Sequence, residues 1–293
     1  MEQHYWWMFA LLQPIGFSGV TLLSQHYKKS GFSLVTIRAC FILLCLLPFT
    51  FFVEAPSEPI FYISTFVAAL LAFFADSLLM NSSAKFGAGT TSRILPISPL
   101  LGFVIWLVVN PESFYKFIDT PVIGTGIVLS LIGCVYAISH LQRCEISKRA
   151  FVYLVPVILC FAINDTMNKT AQDNSGFWNG IIWYTFFLAL VSIVTGLLLH
   201  MKDKSIVSSL QDKVLLKAAF LIALSYGTAM IGRNISMVYT ENPAYTSIIA
   251  GSTPLFIFVY HKIFNIEDNA NVKAGLLFTM SVLMLIFLAS FIK

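Results

Sequence analysis

Apolar residues run along this chain in blocks of about 17 to 25, the length a helix needs to cross a bilayer, and the polar positions between them come in short clusters. The blocks fall at roughly 4–24, 33–53, 60–81, 88–109, 121–140, 151–170, 177–200, 214–238, 243–264 and 272–292, which predicts ten transmembrane helices. The connections carry helix breakers, as in Lys28-Lys29-Ser30-Gly31, Asn110-Pro111-Glu112, Asp173-Asn174-Ser175-Gly176 and Asn265-Ile266-Glu267-Asp268-Asn269. None is long enough to fold alone, so any chemistry is expected inside the membrane. The first residues lack a basic stretch and a small-residue cleavage site, so the first block is expected to be a retained helix with Trp6 and Trp7 at the interface.

One stretch recurs. Thr91-Ser92-Arg93-Ile94-Leu95-Pro96-Ile97-Ser98-Pro99-Leu100 returns as Thr246-Ser247-Ile248-Ile249-Ala250-Gly251-Ser252-Thr253-Pro254-Leu255, both reading T-S-x-I-x-x-x-[ST]-P-L. The economical explanation is a duplicated membrane unit; the alternative is coincidence in an alphabet skewed to a few apolar residues. Duplication aligns helices 3 to 5 with helices 8 to 10 and sets Gly126 opposite Gly275. It divides the chain into a first five-helix repeat at 1–140, a connecting loop at 141–150 and a second repeat at 151–293. Five is odd, so the second unit enters from the opposite side and the repeats are inverted.

Composition fixes the class. With 58% hydrophobic and 11% charged residues and a mean hydropathy of +0.82, the chain is too apolar for a soluble domain. The net charge of +4 sits in loops and does not point to nucleic acid. Cys40, Cys45, Cys134, Cys144 and Cys160 form no C-x-x-C and read as packing residues, with no disulfide or metal site expected. No G-x-x-x-x-G-K-[ST] occurs, so no ATPase and no cofactor are expected on this chain.

The informative residues are ionisable groups within the blocks, because a charge in hydrocarbon is costly unless paired or hydrated. Asp76 and Arg93 lie at one depth near the basic-loop side, so a pair between them is feasible, with Arg38 nearby. Asp165 and Arg233 approach the other side with Asn164 and Asn234. These four charges are candidate gates, alternately formed and broken around a midplane substrate. The plainer alternative for an arginine is snorkelling to headgroups; aspartate is too short for that.

Pro14, Pro96, Pro99, Pro156 and Pro254 each remove a backbone donor inside a block. They either kink the helices for packing or free carbonyls that join Ser98, Ser252 and Thr253 around a cavity. Trp183 and Tyr226 are candidate cavity-wall aromatics. Gly124, Gly126, Gly133 and Ala137 suit close packing, within the fold or at a homodimer contact.

Two five-helix units, Arg38 in Thr36-Ile37-Arg38-Ala39, a small polar stretch before helix 4 and the [ST]-P-L within it resemble the EamA family of the drug/metabolite transporter superfamily. Lys169 in Asn164-Asp165-Thr166-Met167-Asn168-Lys169 matches the lysine that often closes a half's first helix; helix 1 has Gln25 instead. The family's acidic L-G-E after helix 4 is replaced by Asn110-Pro111-Glu112.

The resemblance implies an all-α, ten-helix secondary carrier of a small polar or amphipathic metabolite, in a bacterial cytoplasmic (inner) membrane, working by alternating access and not an enzyme. It also implies cytosolic termini. Loop charges imply the reverse: Lys28, Lys29, Lys85, Arg143, Lys148, Arg149, Lys202, Lys204, Lys213, Lys217, Lys262 and Lys273 lie on one side, against Lys116, Lys169 and Lys293. Two other readings stand beside the carrier: an intramembrane enzyme using Asp76 and Asp165, and a non-transporting membrane subunit. Two Asp and three Arg in the blocks favour an anionic or zwitterionic substrate.

Overall fold

The computed structural model describes residues 5–141, 148–201, 211–265 and 271–291, and among these it is helical with no strand. The order is α1 (Trp6–Ala10), α2 (Leu12–Tyr27), α3 (Gly31–Leu46) with a 3-10 turn at Leu47–Phe51, α4 (Pro59–Phe86), α5 (Ala88–Ile94), α6 (Ile97–Val109) and α7 (Pro111–Asp119). It continues with α8 (Pro121–Ser139), α9 (Lys148–Asp173), α10 (Phe177–Met201), α11 (Lys213–Tyr239), α12 (Pro243–Ala250), α13 (Thr253–Ile263) and α14 (Val272–Ala289). Eight helical stretches among the described residues are long and apolar enough to cross a membrane. The protein is thus an integral, multi-pass helical membrane protein, with large apolar side chains such as Leu44, Val104, Leu129, Val194 and Met280 exposed around its outside.

Several helices are interrupted where proline withholds a donor. The α1–α2 break at Leu11 lies beside the Ala10 carbonyl, to which Pro14 has no N–H to give. Pro96 lies in the break between α5 and α6 and Pro99 in the first turn of α6, where the Ser98 amide donates to Leu95 O at 2.8 Å. At the α12–α13 break, Pro254 gives nothing to Ala250 O, and the Thr253 hydroxyl donates to it at 2.6 Å. Pro156, by contrast, sits inside an uninterrupted α9.

Two expectations are corrected in length. Helix α4 runs on to Phe86, past the expected end at 81; its last turns bury their polar side chains, with Ser83 Oγ donating to Leu79 O at 3.0 Å and Ser82 Oγ meeting Thr91 Oγ1 at 3.0 Å. It stops at Gly87, whose φ of 89° suits a residue without a side chain. Gln25 Oε1 then accepts from the Ala88 amide at 2.8 Å, capping α5. The segment after Asn110, expected as a connection, is the helix α7, capped by Asn110 Oδ1 from the Ser113 amide at 3.1 Å.

The helices pack in matched couples: α4 against α9 and α2 against α11 most extensively, then α8 against α14 and α3 against α10. Glycine permits the closest of these approaches. A Cβ on Gly16 of α2 would run into the Ser225 carbonyl and the Ala229 backbone of α11. Gly126 and Gly133 of α8 face Leu288 and Ser281 of α14, inside the fold. On the basic side, Lys29 Nζ meets Asp212 Oδ2 at 2.7 Å, tying the α2–α3 turn to the start of α11. Most of the connecting loop, with Arg143 and Cys144, lies outside the described residues, as do Lys202, Lys204, most of the Asn265–Asn269 turn and Lys293.

Candidate functional site

A buried polar residue in an apolar bundle must find a partner within the protein, and α9 presents a row of them toward α11. Asp165 Oδ1 accepts from Arg233 Nη2, and Asp165 Oδ2 accepts from the Ser247 hydroxyl at 2.6 Å. The same Arg233 nitrogen donates to Asn164 Oδ1 at 2.6 Å, while Asn164 Nδ2 donates to Ala68 O of α4 at 2.7 Å. One turn further along α9, Asn168 Nδ2 donates to Asn234 Oδ1 at 3.2 Å, and Asn234 Nδ2 donates to Thr185 Oγ1 at 2.9 Å. Lys169 Nζ reaches Asp173 Oδ1 at 2.6 Å and Met237 O at 3.0 Å.

The Asp165–Arg233 pair borders a cavity of about 80 Å³, measured as the space open to the centre of a water molecule. One water needs on the order of 10–15 Å³ by that measure, so several waters or a small ligand fit. Both interrupted helices open onto it: Ser92, Leu95 and Ser98 around the α5–α6 break, and Ser247, Ala250 and Thr253 around the α12–α13 break. These are the same three places in the two decapeptides. Phe17 and Thr21 on α2, and Phe161 and Asp165 on α9, line the other walls, four residues apart in each case. Leu79 of α4 and Arg233 of α11 complete these walls.

Asp76 is elsewhere. Its ion partner is Arg38, at 2.7 Å, and not Arg93, which turns back to donate from Nε to Gly89 O at 3.2 Å. Arg38 also lies over the Tyr226 ring, 3.6 Å from its centre, and keeps Nε and Nη1 buried without hydrogen-bond partners. The Asn164–Ala68 contact sets the register of the antiparallel α4 and α9, and Asp76 lies eight residues beyond Ala68. At 1.5 Å per residue the two ion pairs are therefore about 12 Å apart in depth. Both are intact together and both are buried, with side chains 1–8% exposed.

Of the residues picked from sequence, the structure gathers Asp165, Arg233, Ser98 and Thr253 at the cavity, and Asn164 directly behind it. Tyr226 lies under Arg38, and Asn234 in the α9–α11 seam. Trp183 is in neither place: its indole donates to Val53 O at 3.1 Å and it stacks on Phe187. Sequence reasoning passed over Gln13, Phe17, Thr21, Phe161 and Ser247. Ser247 was signalled by its place in the repeated decapeptide, and Gln13 by polarity inside an apolar block; the two phenylalanines carried no signal.

Fold and site together define a polytopic helical membrane protein with a small, partly open cavity at the junction of two broken helices, faced by one ion pair. No family model matches the chain, and no curated protein does.

Proposed function

We propose that this protein is a secondary carrier that moves a small polar or amphipathic metabolite by alternating access, in the manner of the EamA-type drug/metabolite transporters it resembles. The observation that carries the reading is the cavity between the two broken helices, lined at equivalent positions of both decapeptides. Freed carbonyls and hydroxyls at a mid-membrane helix break are tolerated where they line a cavity, and inverted repeats set such breaks on either side of one site.

Ten spans are reached by adding two crossings to the eight long apolar helices. One is α12–α13, whose two pieces join end to end across Gly251–Ser252; the other is α14. The couples α4–α9 and α2–α11 exchange under a twofold that interchanges the halves, while α8–α14 and α3–α10 map onto themselves. A bacterial cytoplasmic membrane is the proposed location. The intramembrane-enzyme reading is disfavoured, since Asp76 and Asp165 each hold their own arginine at different depths.

The test is solute counterflow in proteoliposomes, with a panel of labelled metabolites and protein-free vesicles as reference. A carrier gives saturable accumulation of at least one solute, reduced in Arg233→Lys. Folded, correctly inserted protein that accumulates none across amino acids, organic acids, amines, nucleosides and sugar phosphates removes the reading.

A further inference from the structure

The cavity is built from equivalent positions, yet its charge is one-sided. Where α9 and α11 bring Asp165 and Arg233 to it, α2 and α4 bring Thr21 and Leu79. The remaining wall is mostly apolar, with Phe17, Phe161 and Leu95, and carries the polar residues Gln13 and Ser92 among them. A ligand held here therefore meets one dipolar end and one greasy end.

The hydrogen bonds narrow its charge. Only Nη2 of Arg233 donates within the described residues, to Asp165 and Asn164, which leaves the rest of that guanidinium to a ligand in the cavity it lines. The hydroxyls at the matched decapeptide places do not add to it: that of Ser98 is fully buried, and that of Thr253 is held by Ala250 O.

Asp165 accepts one bond on each oxygen and has lone pairs left for a cation. Site and ion pair together are neutral. A lone anion would leave Arg233 shared between two carboxylates, and a lone cation would leave Asp165 shared between two cations. Either leaves a net charge against a mostly apolar lining, which is unfavourable.

Building on the carrier reading, we infer that the cavity takes a small net-neutral zwitterion whose charges are separated by about one carbon, carboxylate toward Arg233 and ammonium toward Asp165, with a short apolar tail against Phe17, Phe161 and Leu79. Asp165 and Arg233 are in direct contact, so only a ligand with adjacent charges meets both. One with its charges at opposite ends would press the second against the apolar wall.

The test uses four probes on one carbon skeleton, measured by calorimetric binding to the purified full chain: 2-aminopentanoate, 5-aminopentanoate, pentanoate and butylamine. Binding of 2-aminopentanoate at least about tenfold tighter than the other three is expected, since tenfold corresponds to about 1.4 kcal/mol, a modest price for one misplaced charge.

Pentanoate or butylamine binding as tightly as 2-aminopentanoate, 5-aminopentanoate binding equally well, or no binding by 2-aminopentanoate overturns the inference. Counterflow separates this from the carrier reading. Transport of an anion alone defeats the zwitterion and keeps the carrier; tight binding of 2-aminopentanoate with no transport of it or any other solute does the reverse.

Discussion

Removing one member of the Asp165–Arg233 pair should cost far more than removing both. Arg233→Met leaves a carboxylate among apolar helices with only the Ser247 hydroxyl on it, and strips Asn164 Oδ1 of its donor. Asp165→Asn leaves a buried guanidinium whose remaining protein acceptor is Asn164. Each single change should destabilise by about 3–5 kcal/mol, the cost of an uncompensated buried charge. In the double variant both charges are gone. What is lost is the neutral part of the network, chiefly the bond to Asn164, at about 0.5–1.5 kcal/mol per bond. The double variant should therefore cost about 1–2 kcal/mol where additivity would give about 6–10 kcal/mol.

The assay is unfolding by sodium dodecyl sulfate in mixed micelles, followed by tryptophan fluorescence on the four proteins of the cycle. Binding to the cavity is measured on the double variant, which should be well folded and unable to bind. Additive costs would refute the coupling drawn from the geometry. A stable double variant that binds as well as the parent would show that the pair holds the bundle together and does not form the site.

Gly16→Val should separate α2 from α11 and cost about 1–3 kcal/mol or more by overpacking; Gly227→Ala, where a Cβ meets nothing within 4 Å, should be neutral or stabilising. Equal unfolding midpoints for the two would refute this. Asp212 is held below the usual carboxylate range, first by the bond from Lys29 and then by amides of α11. Its folded pKa is lowered, so its stabilisation is complete above the ordinary carboxylate pKa and is lost as pH falls through the lowered value. Asp212→Asn should flatten the acid limb of a midpoint-against-pH curve, and an unchanged limb counts against the argument. Helix α7 exposes Phe114, Tyr115 and Ile118, so Tyr115→Trp should give fluorescence quenched by lipids brominated near the headgroup more than by those brominated near the tail end. Quenching weighted to the tail end would place α7 in the core instead.

How far these residues could be read from the chain depends on what a sequence encodes about a helix in lipid. Depth is legible, because rise per residue is fixed: Asp165 and Arg233 were placed near one another by counting alone. Azimuth and neighbour are not, because apolar blocks lack the strong periodicity that lipid-free helices carry. Asp76 was therefore matched by depth to Arg93, when its partner is Arg38 on α3. The same blindness picked Trp183, an aromatic well inside its block that faces Val53 and Phe187, and missed Phe17 and Phe161. Gln25 looked like a lost lysine and is a cap for α5, a role only the turn at Gly87 brings into view.

The repeated decapeptide was the strongest signal because it records a backbone event, a proline or glycine at a helix break, and backbone events do not depend on azimuth. What it does not record is the difference between the halves. Both breaks offer a hydroxyl at the same place, but Thr253 closes its own carbonyl and Ser98 does not, and the charge pair stands beside only one of them. If the carrier reading proposed above holds, a cavity with matched breaks and unmatched charge would keep its ligand in one orientation, because Asp165 and Arg233 stand on α9 and α11 alone. On that reading, the matched breaks are the parts expected to move, and the side chains that differ beside them are the parts expected to choose the substrate.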